Sequence, residues 1–107
     1  MLQLHDVIFK SLSDPTRRAI FERLCRGGEQ TVGDLTDHAG VSQPAVSKHL
    51  VILKRAGLVA GRHEGRQTHY TAKKEALTPL IDWTKRMGGF WDEKLDGLET
   101  LLGRMDQ

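Results

Sequence analysis

A single cysteine, Cys25, is all that the 107 residues contain, so no intramolecular disulfide staples the fold and the chain suits a reducing compartment. No apolar run approaches the length of a membrane span, and the N-terminus lacks the charged, apolar and small-residue succession of a secretory signal. A soluble, cytoplasmic protein with no membrane partner is expected. Internal repeats and low-complexity tracts are missing, and the length suits one domain, 1–107, with a modest core. Catalytic signatures are missing too. There is no glycine-rich phosphate loop with its lysine, no nucleophile motif and no carboxylate pair in a recognisable cleft sequence, which argues against an enzyme and against a cofactor. A formal net charge of +2 is too small to name a partner by itself.

The distribution of charge says more than its total. Residues 1–41 carry five Lys/Arg against six acids, and residues 75–107 carry four against seven. Between them, residues 42–74 hold seven cations (Lys48, Lys54, Arg55, Arg62, Arg66, Lys73, Lys74) against Glu64 alone, a local net charge of +6. Such a run is often only a solvated face; here it coincides with a groove-reading motif.

That motif is VGDLTDHAGVSQPAVSKHLVILKRAGLV, Val32 to Val59. Val32, Leu35 and Ala39 form the stripe of a short helix, and Gly40 supplies a left-handed turn residue after it. Ser42 is placed to cap a second helix whose first turn holds Pro44, where a missing N–H costs nothing. Val46, Leu50 and Leu53 then recur at i, i+4 and i+7 as its buried stripe. At 100° per residue, Pro44, Lys48 and Arg55 fall opposite that stripe, Ser47 and Val51 at its margins, and Gln43 at the exposed end. This is the layout of a helix-turn-helix, 31–56, that offers small, polar and cationic groups to a DNA groove.

The flanks complete a recognisable domain. Leu4, Val7, Ile8 and Ser11 suit one face of a short first helix, and Asp14 before Pro15 signals the start of a second, which buries Ile20, Phe21 and Leu24 and stops at Gly27–Gly28. Arg17 and Arg18 sit in its first turn, where the helix dipole disfavours cations; a phosphate or an acidic neighbour is expected there. After Gly57, residues 58–71 read as a hairpin, or wing, with a turn at Glu64–Gly65 and with Arg62 and Arg66 near its tip. From 77 to 105, Leu77, Leu80, Thr84, Met87, Trp91, Leu98, Leu101 and Met105 recur at helical spacing, widened by Ile81, Leu95 and Leu102, with Thr78–Pro79 capping the start. Gly88–Gly89 either kinks this helix or divides it. The stripe exceeds what one small core needs, and a second copy is the expected cover. The dimerisation set is Leu80, Thr84, Met87, Trp91, Leu95, Leu98 and Leu102, joined by Leu4 and Ile8 of the first helix.

Taken together, FKSLSDPTRRAIFERL (Phe9 to Leu24), the Val32 to Val59 stretch and GRHEGRQTHY (Gly61 to Tyr70) resemble the ArsR family of small bacterial winged-helix repressors. The tail FWDEKLDGLETLL, Phe90 to Leu102, is similar to a branch of that family not known for metal sensing. The resemblance implies a mainly α winged helix-turn-helix of about five helices plus a wing, dimerising through its terminal helices, and a homodimeric repressor of an imperfect palindromic operator in double-stranded DNA. It further implies that Gln43, Pro44, Ser47 and Lys48 face the major groove with His49 flanking them, and that Arg62 and Arg66 meet the neighbouring backbone or minor groove. Ser42 and Arg55 complete the expected DNA-binding set.

Sensor chemistry is where the chain departs from that pattern. Metal-sensing members place a Cys-x-Cys at the start of the first helix of the motif; the corresponding residues here are Thr31 and Gly33. Another family site uses Asp and His pairs on the C-terminal helices, yet His5, His38, His49, His63 and His69 all precede that helix. Asp34 and His38, at i and i+4, share a helix face, but two ligands do not close a zinc site, and a hydrated surface pair is the plainer reading. His63 and His69 read as phosphate or cross-strand partners. Cys25 reads as a structural thiol, the alternative being cross-subunit or sulfenate chemistry. Trp83, Phe90 and Trp91 read as core or interface rather than the lining of a ligand cavity. No metal is expected and no effector is named. The rival functions are a metal- or thiol-responsive repressor and a helix-turn-helix protein-interaction module without DNA binding.

Overall fold

The computed structural model describes residues 3–105. In chain order these form α1 (Leu4–Leu12), α2 (Pro15–Gly27), β1 (Gln30–Thr31), α3 (Val32–Ala39), α4 (Gln43–Arg55), β2 (Val59–Glu64), β3 (Gln67–Ala72), a short 3-10 turn (Lys74–Leu77) and α5 (Thr78–Met105). Local chemistry accounts for most of these boundaries. The Asp14 carboxylate accepts the Arg17 amide at 2.8 Å with Pro15 behind it, and the Ser42 hydroxyl accepts the Ala45 amide at 3.3 Å. Thr31 and Asp34 close a reciprocal capping box on α3, and Gly40 ends that helix at φ 70°, a conformation a side chain would strain.

Each of the first four helices contributes to one core. Ile8, Ile20, Phe21, Leu24, Leu35, Val46, Leu50 and Leu53 meet there with Leu58 and Val59, all buried. Side chains of this kind each contribute roughly 1.5–3 kcal/mol on burial. Ile8 corrects an expectation: at 3% exposure it packs inside its own protomer and offers nothing to a second copy, whereas Leu4 of the same helix is 71% exposed.

The sheet holds a strand that the sequence pattern did not announce. Its order is β1-β3-β2, antiparallel throughout, with Gln30 opposite Tyr70 and Thr31 opposite His69 on one side of β3, and Arg62 opposite His69 on the other. The hairpin connection is Gly65–Arg66, one residue later than the expected turn, with Gly65 at φ 61°. One further expectation is resolved at the junction of α1 and α2. The guanidinium groups in the first turn of α2 turn back onto the C-terminal carbonyls of α1, and the acidic neighbour expected there is Asp14, whose carboxyl the Arg17 backbone amide, and to a lesser degree the Arg17 charge, lowers. Arg17 donates through Nε to the Ser11 carbonyl and through a second nitrogen to that of Lys10 at 3.3 Å, and Arg18 donates to the Leu12 carbonyl at 2.9 Å. The need is local: the residue four after Ser11 is Pro15, which has no N–H to give.

α5 runs unbroken through Gly88–Gly89 for 28 residues, about 42 Å at 1.5 Å per residue. Its first turns dock on α1, where Phe9 meets Trp83 edge-on with ring centroids 5.1 Å apart, and Leu77 and Leu80 pack against the core. Farther along, Phe90 (52% exposed), Trp91 (59%), Leu101 and Leu102 stand in solvent. The side chains of Leu95, Leu98 and Met105 lie outside the described residues. Projection of α5 stretches the chain to 71 × 31 × 21 Å, with a radius of gyration of 19.3 Å. A compact chain of this length would give about 13 Å.

Candidate nucleic-acid interface

Burial of Val46, Leu50 and Leu53 at 0% exposure fixes the rotation of α4, and with it what faces outward. Ser42, Gln43, Pro44, Lys48 and Arg55 are exposed, and Ser47 is half-buried at the edge. Gln43 shares a groove of about 290 Å³ with Arg66 at the wing tip; Thr31, Val32, Gly33, Gln67 and Thr68 complete its walls. The structure thus joins the start of α4 to the wing, although the two lie far apart in sequence. Thr31 and Gly33 enter because β1 pairs with β3, a contact that a two-residue strand does not reveal by pattern.

His49 and Arg62, expected to touch DNA, are both engaged elsewhere in this structure. His49 is half-buried; its Nδ1 lies 3.4 Å from Arg17 and its Nε2 3.9 Å from the Asp14 carboxylate, so it ties α4 to the start of α2. The Asp14 carboxyl is held below its ordinary value chiefly by the Arg17 backbone amide, with burial opposing and His49 assisting. Arg62 donates to Glu29 at 2.6 Å and to Glu64 at 3.0 Å, and His69 lies 3.7 and 3.6 Å from the same carboxylates. Hydrogen bonding to Glu29, then to Glu64, holds the guanidinium even more firmly protonated, and hydrogen bonding to Arg62 lowers Glu29 in turn. Glu29 is a participant that sequence reasoning missed, being 33 residues from its partner.

The candidate sensor residues have structural partners. Asp34 accepts the Thr31 amide at 3.0 Å in the α3 capping box, and that bond lowers its pKa. His63 faces Thr68 across the hairpin at 3.0 Å, the cross-strand role expected of it. Cys25 is half-buried against the core, and burial pushes its thiol up, away from the reactive thiolate. Among the described residues no group of three or more His, Cys, Asp or Glu is placed to hold a metal ion, and no helix is long and apolar enough to cross a membrane.

A helix capped by the Ser42 hydroxyl, presenting polar and cationic groups beside a hairpin that carries Arg66 at its tip, defines a DNA-binding transcriptional regulator of the winged helix-turn-helix class. Residues 14–60 match the family described as bacterial regulatory protein, arsR family. The chain is 40% identical over 76 residues to the transcriptional repressor SdpR of Bacillus subtilis, covering 71% of this chain and 83% of that one. It is likewise 40% identical over 97 residues to the HTH-type transcriptional regulator Rv2034 of Mycobacterium tuberculosis, covering 91% and 87%. An ArsR-like transcriptional regulator from Rhodococcus sp. RHA1 superposes with a TM-score of 0.71 at 31% identity, covering 90% of each chain. The protein belongs to the ArsR family of transcriptional regulators.

Proposed function

We propose that this regulator is a homodimeric repressor acting in the cytoplasm, and that two copies pair through α5 and the exposed end of α1 to read an imperfect palindrome. The observation that carries the pairing is the uncovered apolar face of α5, where Met87, Phe90, Trp91, Leu101 and Leu102 stand in solvent beyond the point at which the helix leaves its own core. Exposed Leu4 supports extending the interface to α1. The exposed face of α4 supports Gln43, Pro44, Ser47 and Lys48 as the groove-reading residues, with Ser42, Arg55 and Arg66 on the flanking backbone. A repressor is the reading that relatives named as repressors support, SdpR among them.

Some relatives carry names tied to metals, including a probable mercury resistance operon repressor of Streptomyces lividans and the arsenical resistance operon repressor of Escherichia coli. In this chain Thr31 and Gly33 offer no soft ligand, which supports control without metal. The test is a footprint on DNA upstream of the protein's own gene. Protection of two half-sites centred roughly 34–36 Å apart is expected, and protection confined to one half-site would refute the dimeric reading.

A further inference from the structure

The wing carries an arrangement that DNA binding alone does not explain. Glu64 is the sole acid in the basic segment 42–74, and the fold brings a second, Glu29, from the other edge of the sheet. Strand register sets this up: Arg62 lies opposite His69, and His69 opposite Thr31, two residues after Glu29. Arg62 therefore extends from β2 across the neighbouring strand. All three guanidinium nitrogens are taken, Nε at 3.4 Å and one terminal nitrogen at 2.6 Å by Glu29, the other at 3.0 Å by Glu64.

A phosphate bound bidentately would use the edge of the N–H fork, Nε and one terminal nitrogen, that Glu29 already occupies, and that edge cannot serve carboxylate and phosphate at once. Glu29 and Glu64, which Arg62 and the neighbouring His69 both face, also place two carboxylates where a phosphate would approach. Arg62 and Glu29 are both substantially exposed, at 53% and 38% for their side chains, and ion pairs so placed are weak enough to be exchanged. We propose that Glu29 gates Arg62: it holds the guanidinium folded across the sheet and competes with DNA phosphate for it, setting how tightly the wing grips the duplex. This rests on the DNA-binding reading of the wing, and it makes Glu29 a positioning residue that touches no DNA itself.

The competition is with phosphate and not with a base, so a random-sequence duplex suffices as probe, titrated with the full chain by fluorescence anisotropy across a salt series. Glu29→Gln removes the competing charge, and Glu22→Gln removes an equal charge from α2, away from Arg62. Binding by Glu29→Gln should be about threefold or more tighter than by Glu22→Gln, and log K against log salt should steepen by about 0.9, one added phosphate contact. In an Arg62→Gln background the gain should vanish. Equal or weaker binding by Glu29→Gln relative to Glu22→Gln would overturn the proposal, as would a gain that survives without Arg62. If Glu29 only stiffened the wing, its loss would weaken binding, so that outcome also counts against gating. Absence of binding by the unmodified chain both to this duplex and to the DNA upstream of its own gene would overturn the DNA-binding reading, whereas binding without a Glu29 effect would overturn this inference alone.

Discussion

Arg17 offers a sharp separation between a structural and a DNA-contacting cation. Replacing it with Met keeps the apolar stem and removes the guanidinium that serves the Ser11 and Lys10 carbonyls. The Lys10 carbonyl is also served by the Ser13 hydroxyl at 2.7 Å, so its loss costs little. Ser11 is different: the residue is 5% exposed, and Pro15 cannot donate to its carbonyl. One charge-assisted bond to a buried acceptor is worth about 1.5–3 kcal/mol, and stranding that acceptor keeps the loss near the upper part of the range, so Arg17→Met should cost about 2–3 kcal/mol. For a chain of this size that lowers the melting temperature by roughly 8–15 °C. Urea denaturation followed by far-ultraviolet circular dichroism measures the free energy, and a thermal scan the shift. Arg17→Lys should lose nearly as much stability, because an ammonium does not reproduce the fork. A cost below about 0.5 kcal/mol, accompanied by a loss of DNA affinity, would refute this account and return Arg17 to the phosphate contact that its sequence position suggested.

The proposed dimer predicts that Trp91→Asp, which places a charge on the exposed face of α5, gives monomer by sedimentation at micromolar concentration and weakens operator binding; an unchanged dimer would move the interface elsewhere. The caps on α2 and α3 predict an acid-sensitive fold. Because the Asp14 and Asp34 carboxyls lie below their ordinary 3.8 in the folded state, the stability they add is present above that value and is lost as pH falls through their lowered values. Asp14→Asn should flatten the fall in melting temperature with acid, and an unaltered profile would deny the cap its part. Stoichiometric Zn²⁺, Cd²⁺ or arsenite should leave operator affinity within tenfold, about 1.4 kcal/mol of coupling, and Cys25→Ser should change nothing under oxidant. A larger metal shift would point first to Asp34 and His38.

Much of this architecture was legible because its signals are local. Asp14–Pro15, Ser42 with Pro44, and Gly40 each act within one helical turn, and the Val46, Leu50, Leu53 stripe fixes which face of α4 turns outward. What escaped depends on distant pairing. β1 is two residues long and exists through its partner β3; His49 meets Arg17 across 32 residues, and Arg62 meets Glu29 across 33. Ile8 satisfied the helical pattern of an interface and of a core equally well, since periodicity gives a face but not what covers it. Gly88–Gly89 weakened the case for one helix on propensity alone, yet the structure carries α5 straight through.

That continuity has a consequence for how the protein behaves as its concentration changes. α5 contains Gly88, Gly89, Gly97 and Gly103, each costing a helix about 1 kcal/mol relative to alanine, roughly 4 kcal/mol in all. A rod with that handicap is only marginally helical by itself in water, so anything that covers its outer half adds to its helicity. On the proposed assembly that cover is another copy, so winding the rod and meeting a partner become coupled equilibria. Melting temperature and resistance to proteolysis should then both climb with protein concentration, and operator occupancy should rise more steeply than in proportion to the number of chains.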